Sequence, residues 1–325
     1  MLRLPLLRGL CVGLAFATVA GAQAEPQVLA RARLFPEVGA GVRAVKRDAA
    51  GRYYVLTAPS AAVLVYDAAG KRVGQVPRAA TPGSSLLYGE DMDLDRAGRL
   101  YVADRGANAV KVFDADSSLA LTISVPAPTA VVALDEGELA VASMKSAWLV
   151  NVFDARGKPV RDFGEPAEIA ERSALNRFLN IGKLASDPAG NIYYAFAYLP
   201  EPTVRKYDRI GYAALEIQLT TLEFQPEAQA MRREIQRQER SGAPNFKPIL
   251  TAVAVDSATQ HIWIAMGDLL LHFDRDGNRL GAYRTYTPEG ARVDTIAILV
   301  EPERLLLAAD PLGIYDFARP DKLRH

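Results

Sequence analysis

The 325 residues contain one cysteine, three histidines and two tryptophans. A single Cys excludes an intramolecular disulfide framework and a cysteine-built metal centre. Three His offer little to a histidine-dependent metalloenzyme. Neither sign of charge is in excess, since Lys+Arg and Asp+Glu both number 38. The chain therefore lacks the basic footprint that nucleic acid or an anionic membrane attracts. Beyond the first two dozen residues no long apolar run exists, so no transmembrane span is expected there. There is no G-x-S-x-G elbow, no phosphate loop and no dinucleotide fingerprint. What is present is globular composition, 50% hydrophobic and 23% charged, in a chain long enough for a large core.

Residues 1–24 read as an export signal. Arg3 and Arg8 form a positive n-region, an apolar run extends from Gly9 to about Ala20, and Ala22-Gln23-Ala24 is a small-x-small cleavage site before Glu25. The expected location is periplasmic or secreted. Cys11 would leave with the signal, as would two Arg, so the mature chain would have no cysteine and a slight acidic excess. Outside the cytoplasm it would need a large core or a fold closed on itself.

The remainder is one motif written six times. An aromatic residue precedes Asp at Tyr66-Asp67, Phe113-Asp114, Phe153-Asp154, Tyr207-Asp208, Phe273-Asp274 and Tyr315-Asp316, with spacings of 47, 40, 54, 66 and 42. Upstream of each pair an acidic residue ends an apolar run: Asp48, Asp95, Asp135, Asp187, Asp256 and Glu301. Between these anchors each copy parses as four short strands with turn glycines at 51, 98 and 190. Units of this length and content predict an all-β, six-bladed β-propeller of four-stranded blades. No helical pattern separates successive strands, which excludes a βαβ sheet.

The repeats resemble the NHL family of β-propellers. Asp95-x-x-Gly98-x-Leu100-Tyr101-Val102-Ala103-Asp104, then Val110-x-Val112-Phe113-Asp114, carry the likeness, which extends over about residues 40–320. It implies architecture far more than function. An open ring would leave strand edges bare. Pro26–Phe35 has strand character, and the sixth copy is short, so the N-terminal segment is expected to supply the outer strand of the last blade. One insertion, about 221–248, breaks the period. Within it Phe224, Ala228, Met231 and Ile235 share a helical face, and Ser241-Gly242-Ala243-Pro244 stops the helix. It is expected to be a surface helix packed on the propeller rim, or else a lid over a channel mouth or a partner-docking element.

Candidate site residues follow from aligning the first strands, which line the channel. Two positions before each anchor stand Lys46, Asp93, Ala133, Ala185, Ala254 and Leu299; four before stand Ala44, Asp91, Val131, Lys183, Ala252 and Ala297. Lys46, Asp91, Asp93 and Lys183 depart from the small apolar filling, and Asp91, Asp93 and Asp95 share one side by the period of two. Lys46 is placed to compensate Asp93 from the neighbouring blade. The alternative is a polar ligand or metal site in the channel. Glu90, Asp91 and Asp93, with Asn108 or Asp104, would give part of a Ca²⁺ shell. That grouping is similar to the Ca²⁺-dependent hydrolases of the gluconolactonase and regucalcin group. Against it, the channel has no second acidic cluster, and Lys183 would repel a cation.

His261 and His272 read as core or surface residues, and His325 is the terminal residue. Loops between second and third strands reach one face and present Arg105, Asn108, Lys145, Tyr198, Asp268 and Asp310. With no catalytic constellation, the expected function is a monomeric, non-enzymatic module that binds a protein, peptide or glycan on one face. The rival is the Ca²⁺-dependent lactonase. The export reading has a direct check: N-terminal sequencing of the exported protein should begin at Glu25, and a mature chain that retains the apolar run would refute it.

Overall fold

A computed structural model describes residues 25–219, 225–240 and 246–322. Residues 1–24, expected to be an export signal, Phe224, the residues 241–244 expected to stop the helix, and His325 lie outside the described residues. The chain opens with two short strands, β1 (Gln27–Leu29) and β2 (Ala32–Leu34). Blade 1 is β3 (Val42–Arg47), β4 (Tyr53–Thr57), β5 (Val63–Tyr66) and β6 (Arg72–Val76). Blade 2 is β7 (Gly89–Leu94), β8 (Leu100–Asp104), β9 (Ala109–Phe113) and β10 (Leu119–Ser124). Blade 3 is β11 (Pro128–Ala133), β12 (Leu139–Ser143), β13 (Val150–Phe153) and β14 (Pro159–Phe163), followed by helix α1 (Ser173–Leu179). Blade 4 is β15 (Gly182–Ser186), β16 (Ile192–Phe196), β17 (Thr203–Tyr207) and β18 (Ala213–Gln218), followed by helix α2 (Gln225–Gln238). Blade 5 is β19 (Ala252–Val255), β20 (Ile262–Met266), β21 (Leu269–Phe273) and β22 (Arg279–Tyr286); blade 6 is β23 (Thr295–Val300), β24 (Arg304–Ala309) and β25 (Gly313–Ala318). The six-bladed propeller expected from the repeats is the fold of the described residues.

Burial explains why each strand has its composition. Second strands such as β8, β16 and β20 are buried at every residue, because a neighbouring blade covers each face. Their sequences, LYVAD, IYYAF and IWIAM, are correspondingly apolar runs without alternation. Outer strands such as β6 and β10 are largely exposed and carry polar residues. The core is thus divided. One cluster joins blades 3 and 4 around Phe196 and Tyr194, the next joins blades 4 and 5 around Leu271, and others repeat this round the ring.

In blades 1, 2 and 4 the first hairpin turns on its acidic anchor; in blade 3 Leu134 takes that position, and Asp135, expected as the anchor, lies one residue later with its carboxylate 3.6 Å from Arg96 Nη1. Asp95 Oδ1 accepts the amides of Ala97 and Arg99, both at 2.9 Å; its Oδ2 accepts Arg99 Nε at 2.8 Å and the Tyr101 hydroxyl at 3.1 Å. Asp48 repeats this with Arg52 and Tyr54, and Asp187 with Asn191 and Tyr193. The glycine inside these turns has φ of +82° to +84° at Gly51, Gly98 and Gly190, a region costly to other residues. Asp95 therefore belongs to a turn and does not share the channel with Asp91 and Asp93.

Closure uses more of the N-terminal segment than the sequence suggested. β2 pairs antiparallel with β25 as the outer strand of blade 6, as expected, while β1 adds a parallel fifth strand to β22 of blade 5. Val28 and Ala30 enter the core between blades 5 and 6, and Phe35 enters that between blades 6 and 1. The Phe35 ring lies 4.4 Å from Tyr66 and 5.5 Å from Tyr53. Glu301, the one glutamate among the anchors, reaches across the same joint and accepts the Tyr53 hydroxyl at 2.8 Å.

The insertion forms α2 as expected, with Met231 and Ile235 buried and Ala228 half-buried. Its apolar face packs on α1, through Leu175, Leu179 and Phe246. The pattern of α1 was not anticipated; only Leu175 and Leu179, four apart, mark its inner face.

Deleting residues 25–36 should destabilise the whole ring. It strips the edges of two blades and removes Phe35 and Val28 from two cores. Loss of a buried Phe alone costs about 3–5 kcal/mol, so thermal melting should fall by about 10 °C or more, with aggregation. An unchanged melting temperature would show that closure is made elsewhere.

Candidate functional site

The four charged channel residues meet. Lys46 Nζ lies 2.9 Å from Asp93 Oδ1. Asp93 Oδ2 accepts the Ala133 amide at 2.9 Å, and Asp91 Oδ2 accepts the Val131 amide at 3.2 Å, so both carboxylates of β7 also bond to β11. Burial pulls the Lys46 ammonium down, but Asp93 and Asp91 outweigh it, and the net direction is above the usual lysine value. Burial raises the Asp91 carboxyl; the charges of Lys183 and Lys46 and the Val131 amide oppose the rise. Two lysines from blades 1 and 4 thus face two aspartates of blade 2.

A second group forms at one mouth of the channel, on the face reached by the loops between second and third strands, here termed upper. Arg105 Nε lies 2.6 Å from Glu90 Oε1, and its guanidinium stands 4.9 Å from the centre of the Tyr88 ring. Arg43 Nη2 donates to the Tyr88 hydroxyl at 2.8 Å. Tyr198 belongs to this group: its hydroxyl is held above its ordinary value by burial and by the charge of Glu90, with Arg105 opposing. The Tyr198 ring packs 4.8 Å from Phe178 of α1.

Two other predicted residues stand apart. Asn108 adopts a left-handed conformation, and its Oδ1 accepts the Ala127 amide at 2.9 Å, so it clasps the loop leading to blade 3. Asp104 is buried under its loop, accepting the amides of Leu87 and Tyr88 and pairing with Lys111 Nζ at 3.1 Å. Lys145 is exposed in the β12–β13 loop.

That loop borders a feature the sequence reading missed. A cleft of about 500 Å³ lies between blades 3 and 4, lined by Ser143, Ser146, Trp148, Glu171, Arg177 and neighbouring residues. Trp148 is 41% exposed. The walls are held firmly. Asn176 Oδ1 accepts the amides of Ile169 and Ala170, and Asn180 bonds Ala167 in both directions, which sews residues 167–170 to α1. On the other wall the Trp148 amide donates to Ser146 Oγ at 3.0 Å. The available signal was Trp148 itself, one of two tryptophans, placed in a loop of the face already singled out.

The histidines also require correction. Sequence spacing placed no two of them with a carboxylate, yet His261 Nδ1 and His272 Nε2 are 2.9 Å apart, with Asp321 beside them. The pairing of β20 with β21 and the return of the chain after β25 create this grouping. Burial holds the His272 imidazole down to about 4, against the charge of Asp321.

In fold the chain is similar to a gluconolactonase from Xanthomonas campestris, at TM-score 0.60 and 14% identity over 92% of this chain and 96% of that one. It is similar to virginiamycin B lyase from Staphylococcus aureus, at 0.57 and 9% over 89% and 98%, and to hydrazine synthase from Kuenenia stuttgartiensis, at 0.55 and 11% over 93% and 99%. Likeness at such identities establishes the six-bladed architecture alone. No family model matches the chain, and no curated protein matches it.

The channel pair has a direct test. Lys46→Ala and Asp93→Ala should each destabilise by about 1–2 kcal/mol, because the partner charge is left partly buried. The double change should cost less than their sum, with a coupling of about 1 kcal/mol. Coupling near zero in denaturant melts would remove the ion pair as a structural element.

Proposed function

We propose that the protein is an exported, NHL-like propeller that works as a non-catalytic binding module, taking a peptide segment of a partner protein in the cleft beside Trp148. The observation that carries this reading is a half-open indole in a cleft whose walls are already fixed. Trp and Arg are the side chains that most often anchor interfaces, and Trp148 and Arg177 line one cleft. Its volume falls within the range of sites that enclose a ligand. Walls held by Asn176 and Asn180 lose little entropy on binding. Lys145 on the adjoining loop, with Glu90 and Arg105 at the channel mouth, adds charges of both signs to the same face, where they would steer a partner and set its register. The segment around Arg3, Arg8 and Ala22-Gln23-Ala24 supports a periplasmic or secreted location.

The rival, a Ca²⁺-dependent hydrolase of the gluconolactonase and regucalcin type, would use the channel. Ca²⁺ takes six to eight oxygens. Here the carboxylates of Asp91 and Asp93 are committed to the amides of Val131 and Ala133, and Lys46 and Lys183 supply the compensating charge. Those residues do not fit a Ca²⁺ site, and no step is drawn through one.

Panning a displayed library of random peptides on the purified protein tests the proposal. Selected peptides should bind the wild type and lose at least tenfold in affinity, about 1.4 kcal/mol, in Trp148→Ala. That substitution lies outside the blade cores, so melting should stay close to wild type. A selection that yields no peptide dependent on Trp148 would count against the cleft, and binding on a glycan array in its place would move the ligand to a saccharide. Ca²⁺-stimulated lactone hydrolysis lost in Asp91→Asn would restore the rival.

A further inference from the structure

The histidine pair lies on the lower face, away from the Trp148 cleft. His261 precedes β20 directly, and His272 sits on β21 opposite Trp263. Asp321 belongs to the single turn Pro320–Lys322 that follows β25. One ligand atom from each of the three lies within 4.8 Å of the others. We propose that His261, His272 and Asp321 bind one zinc ion, with water completing its shell, and that the ion clamps the C-terminal turn onto blade 5.

The donor set is the first support. Two imidazole nitrogens and one carboxylate oxygen, with a position left for water, form a ligand set that Zn²⁺ accepts. The nitrogens already converge at 2.9 Å. With Zn–N bonds of roughly 2.0–2.1 Å, a tetrahedral angle would set them about 3.3 Å apart. The required opening is therefore a few tenths of an ångström. The Asp321 side chain is 17% exposed, and Arg319 bonds both of its oxygens, each of which keeps a lone pair for the ion. In the metal-free pair one ring nitrogen donates to the other. Moving that proton to the far nitrogen of its own ring frees both facing lone pairs, with no net loss of a proton.

Orientation is the second support. The His272 ring is 2% exposed and stacks on Trp263 at 4.1 Å and 7°. Arg319 Nη2 holds Asp321 Oδ2 at 2.7 Å, while its Nη1 holds Asp256 Oδ2 at 2.6 Å. Such outer partners fix ligand orientation in metal sites. The local charge also bears on a cation: the carboxylates of Asp256, Asp274 and Asp321 act on the pair, with the guanidinium of Arg319 opposing them.

Untagged full-length protein, stripped with EDTA and moved into chelator-free buffer, is titrated with zinc chloride in competition with a chromophoric chelator. One equivalent should bind and raise the melting temperature. His261→Ala and Asp321→Asn should each weaken binding at least tenfold. In EDTA His261→Ala should melt like the wild type, and Asp321→Asn, which takes a charge partner from the buried Arg319, should melt lower but in one cooperative step, which shows that both are folded. Cobalt(II) in place of zinc should give a visible absorption band that both variants lose. Absence of binding, or zinc affinity equal in the wild type and both variants, overturns the proposal.

Discussion

Every blade begins with a hairpin, and a hairpin needs something to hold its turn. In blades 1, 2 and 4 one carboxylate holds turn amides (one at Asp48, two at Asp95 and at Asp187), the polar side chain four residues on and the tyrosine hydroxyl six residues on. The tyrosine ring then packs into the core shared with the next blade. A local turn and an interblade core are thereby coupled through a single residue. With one cysteine in the sequence and so no intramolecular disulfide, this repeated coupling stands in place of covalent ties. Two anchors near the joint have longer-range partners as well. Asp256 pairs with Arg319 of the C-terminal segment, and Glu301 reaches blade 1.

The same economy of contacts governs the channel. Its charged residues look like a site when read as a row of side chains, because carboxylates on one strand repel. Their surroundings answer the repulsion from two sides: amides of the next blade, and lysines of blades 1 and 4. Such a network positions four inner strands, β3, β7, β11 and β15, against one another. The face above it is different in kind. There, α1 and the β12–β13 loop leave a hollow with an exposed tryptophan at its edge.

Legibility in the sequence followed range. The blade count, the turn anchors and the helix in the insertion were visible because each depends on residues a few positions apart. Lys46 opposite Asp93 was also legible, since repeat alignment converts distance along the chain into a known displacement around the ring. Asp95 was misassigned because the hairpin turn begins there and the strand period no longer applies. The histidines were misread because their third neighbour, Asp321, arrives from 49 residues beyond His272 by a route no repeat describes. The helix α1 is seven residues long, too short for its apolar pair to stand out from loop composition.

The position of β1 and β2 has a consequence for the order of assembly. These strands leave the ribosome first, yet the strands they join, β22 and β25, are made last. Four blades can gather while the first residues have nowhere to settle. The ring is then an arc with two unsatisfied ends, and its closure waits on the contact of longest sequence separation, a slow class of event in folding. Until that moment the arc exposes edges that another copy of itself would fit. Yield on refolding should therefore depend on protein concentration more steeply than the stability of the finished ring would suggest.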